Sequence, residues 1–449
     1  MPQLGAGKER FFMKRTMTAI ALVAIAAGFL LTACDPLGNV GDIKYLTEEV
    51  YVYEEQVPDV PSESRVEPRG RGNRKQVDDF EYEILRVAQV LPVEVGSSSV
   101  QANDIVFSGS NAYVVYNTAG DVFAGALQVI DFSNPRYPVI TTEIGLPHAD
   151  VNAVAVTNED VYIGGAWDPD FITGYDAGDP DRAFIAKIAL ADLGTVTADE
   201  IDAGKVILDS FVATGIAVDG NDVFVSTGAL DGELEILDTD LVQTGFAAYS
   251  DLRDIEIFRG GVVALQGTQD SGLLEGRVLT VDDNGSEKDE LVIEDFGSPE
   301  KKATIEVYGN KYAFLGLSEA GFQIVYLKSD SEPGDPVQSV YTIENPTGLD
   351  WTDKTDTNSA SYNEDLIVTA NGEAGFRIFR VVDDLDKEDK VENFTEAVGF
   401  VPFDETDPDM DGVYWSANHV EYRTVSDTAG FLAVASGTGG VNLYYLTQK

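Results

Sequence analysis

The 449-residue chain contains one cysteine, two histidines and three tryptophans. A single cysteine excludes an internal disulfide framework and a cysteine-built zinc site. With two histidines, His148 and His419, any Ser-His-Asp arrangement must use one of them, and a zinc centre would need carboxylates to complete it. The sequence has no Gly-x-Ser-x-Gly elbow, no HExxH zinc motif and no phosphate-binding glycine loop, and it implies no organic cofactor. Basic residues are scarce as well, with 30 Lys and Arg against 78 Asp and Glu and a net charge of −48. A field of that sign repels phosphate backbones and anionic lipid headgroups, which excludes nucleic acid as a direct partner. The acidic residues are spread along the chain, a pattern suited to solubility in salty surroundings. After residue 33 no apolar run is long enough for a spanning helix.

The cysteine sits at an informative place. Met13-Lys14-Arg15 is followed by TMTAIALVAIAAGFLLTA and then Cys34. A cationic start, a short apolar core and a small residue before the cut describe an export signal over residues 1–33. Leu31-Thr32-Ala33-Cys34 resembles the lipobox of bacterial lipoproteins. That resemblance implies cleavage before Cys34, acylation of its thiol, and a mature chain held by lipid in the bacterial cell envelope, at the outer membrane or cell surface. Several acyl chains give a stable anchor where one gives marginal binding. Residues 34–79 are polar and read as a flexible tether, with Arg65, Arg69, Arg71, Arg74 and Lys75 as a basic cluster.

Beyond the tether the chain is strands and turns repeated seven times. NDIVFSG, NAYVVYN, GALQVIDFS and PVITTEI form the first copy. Ile105, Val154, Ile216, Ile255, Ile305, Tyr362 and Val420 mark successive copies, at spacings of 49, 62, 39, 50, 57 and 58 residues. Each copy has the size of a four-stranded propeller blade, and a lone sheet of this kind cannot bury its apolar face. The expected fold is all-β, a seven-bladed β-propeller of four-stranded antiparallel blades occupying residues 80–449, with blades from about residue 100. The last copy stops after three strands at Lys449, leaving an open edge. The strand-like run 80–95, FEYEILRVAQVLPVEV, is expected to supply the missing strand and close the ring.

In the first copy Leu127, Val129, Asp131, Ser133, Pro135 and Pro138 fill the pattern Gly-Leu-x-Val-x-Asp followed by Ser-x-Pro-x-x-Pro. This resembles the LVIVD repeat of bacterial surface propellers. The copies ending GFQIVYL and GFRIFRV share the strand but lack the proline tail, and the second and fourth copies match weakly. The resemblance implies a propeller and an exported location; members of that family are mostly described without an assigned activity.

Candidate site residues follow from the repeat. Asn103, Asp104, Asn152, Thr214, Arg253, Asp254, Thr304, Asn418 and His419 open the innermost strands and are expected to ring one mouth of the central channel as a small-ligand or cation site. Glu256, Glu306 and Glu421 lie two residues on from Asp254, Thr304 and His419 and share their sheet face. The alternative role for all of them is bonding to neighbouring blades. In DPDMDG, Asp407, Asp409 and Asp411 match the opening of a calcium loop, although the twelfth position is Asn418 rather than glutamate. The insertion DPDFITGYDAGDPD is a looser acidic case. Taken together, these features lead to the expectation of a non-catalytic platform that binds a protein, a glycan or a small ligand. The alternative is a metal-assisted hydrolase or lyase acting on an extracellular polymer.

Overall fold

The computed structural model describes residues 82–449 except 119, 121, 135–136, 177–180, 229–231, 268–274, 295, 297–300, 310, 328–336, 344–354, 364–365, 382–393, 402–414, 427 and 449, together with the backbone of 43–45 and 50–53. Seven antiparallel sheets follow one another along the chain. Their innermost strands are Gln101–Ser108, Ala149–Val156, Val212–Asp219, Leu252–Phe258, Thr304–Tyr308, Ser359–Asn363 and His419–Ser426. Each innermost strand contacts the one before and after it, and the last contacts the first, so the ring is closed.

Closure comes from the expected clasp. Tyr82–Val90 pairs antiparallel with Val441–Gln448, in a register running from Tyr82 opposite Gln448 to Val90 opposite Val441. The seventh blade therefore takes its fourth strand from the start of the domain. Val50–Tyr53 pairs in turn with Tyr82–Val90, and Ile43–Tyr45 pairs with Val50–Tyr53, extending this sheet to six strands. The expected tether thus contributes a hairpin. Its VYVY run is β-branched and aromatic, and it joins the backbone edge that the clasp would otherwise leave open.

Seven clusters of buried apolar side chains lie between consecutive blades, one at each of the seven interfaces. The repeat therefore buries its apolar residues against its neighbours, as a set of sheets that cannot stand alone must do. Ile105, Val154, Ile216, Ile255, Ile305 and Val420 are buried at equivalent places. The register corrects the sixth marker. Ala360 pairs with Thr369 where Ile305 pairs with Leu315 and Val420 with Val434, so Ala360 holds the marker position and Tyr362 lies two residues beyond it. In blades five, six and seven the turn between second and third strands bonds to the start of the next blade: Thr357 N to Ser318 O at 2.9 Å, Ala417 N to Gly372 O at 2.8 Å, and Ala102 N to Gly437 O at 2.9 Å.

Candidate functional site

The innermost strands carry two polar layers. The residue before each marker supplies Asp104, Asp254, Thr304, Ser359 and His419; the residue after it supplies Glu256, Glu306, Ser361 and Glu421. In blades two and three these layers hold Ala153, Gly215, Ala155 and Ala217 instead, so the lining is small on one side and charged on the other.

Most upper-layer groups serve the neighbouring blade. Asp104 Oδ1 accepts from Ile105 N at 3.0 Å and its Oδ2 from Val154 N, the next marker, at 3.2 Å. Asp254 repeats the arrangement on Ile255 N at 2.9 Å and Ile305 N at 3.0 Å. Ser359 Oγ accepts from Val420 N at 3.0 Å, and Ser361 Oγ from Tyr422 N at 3.1 Å. A second set of bonds runs to carbonyls opening the next blade. Asn103 Nδ2 donates to Asn152 O at 3.1 Å, Thr214 Oγ1 to Leu252 O at 2.9 Å, and Thr304 Oγ1 to Asn358 O at 3.0 Å. Asn358 Nδ2 donates to Ala417 O and Asn418 Nδ2 to Ala102 O, both at 2.9 Å. Asn152 Oδ1 accepts from Asn117 Nδ2 at 2.7 Å.

Arg253 is anchored within its own quarter of the ring. Its Nε lies 2.9 Å from Asp251 Oδ1, its Nη2 donates to Asp251 Oδ2 at 2.9 Å, and its Nη1 donates to Lys301 O at 3.0 Å. Gly267 is required at this point, because a Cβ there would fall 2.4 Å from Asp251 Oδ2.

Charges meet across the axis. Lys302, opening blade five, reaches blade one and donates through Nζ to Asn103 O at 2.7 Å. His419 Nδ1 lies 3.0 Å from Asp104 Oδ1. Burial pushes the Asp104 carboxyl up, but His419, Lys302 and the Val154 N–H outweigh it and hold the group down at about 2. Burial, with Glu256 and Asp104 adding to it, pushes Asp254 well above its ordinary value despite its two N–H bonds. Burial, then the neighbouring Glu421, pushes Glu256 up to about 8; burial, then Asp104, takes Glu421 to about 8. Burial and the same two glutamates also raise Glu306 well above its ordinary value. Desolvation lowers Lys302, with Asp104 and Asp254 opposing it. Among the described residues no group of three His, Cys, Asp or Glu side chains is arranged to hold a metal ion.

The other candidates fall elsewhere. Cys34, Asp407, Asp409 and Asp411 lie outside the described residues. His148 is on the mouth face, stacked on Phe171 with ring centroids 3.4 Å apart. The sequence reading missed Asn358, Ser359, Ser361 and Lys302. Aligning the turns LSEAGF, ANGEAGF and ASGTGGV would have placed Ser359 and Ser361 in register with Thr304 and Glu306, whereas nothing in the sequence marks Lys302.

No protein-family model and no curated protein sequence matches the chain. Its structure is similar to solved propellers. The WD40 domain of Toxoplasma gondii coronin superposes with a TM-score of 0.51 at 9% identity, covering 83% of this chain and 88% of that one. The computationally designed Ika8 protein gives 0.41 at 11% identity, covering 80% and 99%, and a chain of the Mitotic Checkpoint Complex gives 0.49 at 9%, covering 86% and 98%. The likeness to the coronin domain is one of fold.

Proposed function

We propose that this protein is a lipid-anchored platform of the bacterial cell envelope, exported through residues 1–33, held by acylated Cys34 and binding a protein, glycan or small ligand without catalysis. One observation carries the non-catalytic reading: the polar groups opening the innermost strands are bonded to neighbouring blades, while aromatic side chains stand exposed on the same face. WD40 domains, which share the fold, commonly act as interaction platforms. The LVIVD-like first repeat and the lipobox-like Leu31–Cys34 segment support the envelope location.

The alternative of a hydrolase or lyase rests on Glu256, Glu306 and Glu421, whose raised carboxyls would suit proton transfer. Assaying purified protein for cleavage of envelope and extracellular polysaccharides separates the two readings. A platform releases no new chain ends, whereas turnover abolished by Glu256→Gln with Glu421→Gln would establish the enzyme. For the anchor, Cys34→Ser is expected to move the protein from the membrane to the soluble fraction and to abolish incorporation of labelled fatty acid; membrane retention with undiminished labelling would refute acylation at Cys34.

A further inference from the structure

Exposed aromatic side chains gather on the mouth face of blades one to three. Phe171 is 49% exposed and Phe211 42%, with Val122 beside the partly exposed Phe123. Phe171 ends a short 3-10 turn, Pro169–Phe171, capped by the Asp168 side chain, which accepts from Asp170 N at 3.0 Å. The Arg182 guanidinium lies 3.5 Å from the Phe211 ring centre and 5.6 Å from that of Phe123. His148 covers one face of Phe171. The two ring pairs sit on adjacent residues of one strand end, for Trp167 N donates to Arg182 O at 2.7 Å and Asp168 N to His148 O at 2.8 Å. His148 and the Asp168–Phe171 turn, separate in the sequence, therefore build one surface.

The chemistry of that surface selects a partner. Exposed apolar area flanked by polar groups marks an interaction site, and aromatic side chains with arginine are its usual anchors. Both exposed phenylalanines of this face have an exposed carboxylate close in sequence, Asp170 beside Phe171 and Asp209 near Phe211. Carboxylates crowd there: burial, then Glu235 and Asp209, pushes Glu233 above its ordinary value. A second copy of this chain would bring another −48 of like charge. Arg182 and His148 each take one side of a ring, and the exposed area of Phe171 and Phe211 that remains offers a cationic side chain an electron-rich face beside carboxylates.

We infer that this aromatic shelf is a docking surface for a basic polypeptide segment, whose lysine or arginine side chains lie over Phe171 and Phe211 while their charges meet Asp170 and Asp209. The inference rests on the platform reading and names its partner class.

Peptide-display selection on the full-length protein in detergent, with a random peptide library as the probe, tests it. Expected are Lys- and Arg-rich peptides carrying an apolar residue, bound about tenfold more weakly by the Phe171→Ala/Phe211→Ala variant, the order expected from lost cation–aromatic contacts. Asp170→Asn with Asp209→Asn should weaken the same peptides and reduce their salt dependence. Both pairs are exposed, so circular dichroism and melting should match wild type. Several outcomes overturn the assignment: acidic or no enriched peptides, peptides whose binding ignores both double variants, a glycan-array signal lost with the phenylalanines, or self-association lost with them. Peptides that bind elsewhere on the ring would sink this surface yet leave the platform standing, and the polysaccharide assay judges the platform separately.

Discussion

Asp104 and Asp254 occupy the same place in blades one and four and accept from equivalent pairs of backbone N–H groups, yet their surroundings shift their carboxyls in opposite directions. At Asp104 the charges of His419 and Lys302 outweigh burial, whereas at Asp254 burial with the charges of Glu256 and Asp104 outweighs its hydrogen bonds. Each oxygen of Asp254 holds one backbone N–H. Asp254→Asn keeps one acceptor oxygen and turns its amide donor toward the other N–H, so it is expected to cost about 1–3 kcal/mol. Asp254→Ala leaves both buried N–H groups without an acceptor and should cost more, about 1–3 kcal/mol for each. Urea titration of both variants checks this, and an alanine variant as stable as the asparagine one would refute it. At this scale the sequence was partly legible. The polar residues opening the strands were visible because they stand where apolar alternation breaks. Ser359 and Ser361 were not, since serine is at home in any turn and the bulky Tyr362 drew the eye from Ala360, the residue in register.

Strands were more legible than side-chain roles, because alternation of apolar and polar residues with glycine turns has few other solutions. The closing strand could be anticipated from a counting argument, a last copy of three strands and an unplaced run upstream. The hairpin at 43–45 and 50–53 could not, for two short strands in a polar segment leave no period to detect. The clasp carries a clear energetic role. Leu85 is buried in the cluster between blades seven and one, opposite Tyr445 in the register. Leu85→Ala is expected to destabilise the domain by about 2–5 kcal/mol, the usual cost of emptying a leucine site in a packed core. Two-state urea unfolding should report the loss in a single transition; a midpoint unchanged from wild type would mean that the clasp is dispensable.

For the whole ring the buried glutamates set a pH dependence. Glu256 and Glu421, at about 8 in the folded chain against an ordinary 4.5, hold protons that the unfolded chain has released. Their contribution is fully present below the ordinary value, declines as pH rises between the two, and is lost above about 8. Asp104 acts in the opposite sense, contributing above its ordinary value and failing as pH falls toward about 2. Melting temperature should therefore rise when the protein is taken from pH 9 to pH 6. Repulsion within a −48 chain pushes the same way but is screened by salt, whereas Glu256→Gln with Glu421→Gln should make the profile shallower at any ionic strength, the remainder coming from Glu306 and Asp254. A wild-type profile that is level, or unaltered in the double variant at high salt, would remove these residues from the explanation.

The join between Tyr82–Val90 and Val441–Gln448 also orders events during synthesis. Tyr82–Val90 can pair at once with Val50–Tyr53, but its partner in the ring is made only after nearly the whole chain. A product lacking Val441–Gln448 leaves the ring open, with unpaired strand edges that invite proteolysis or aggregation. The ring therefore cannot shut until Val441–Gln448 has been made.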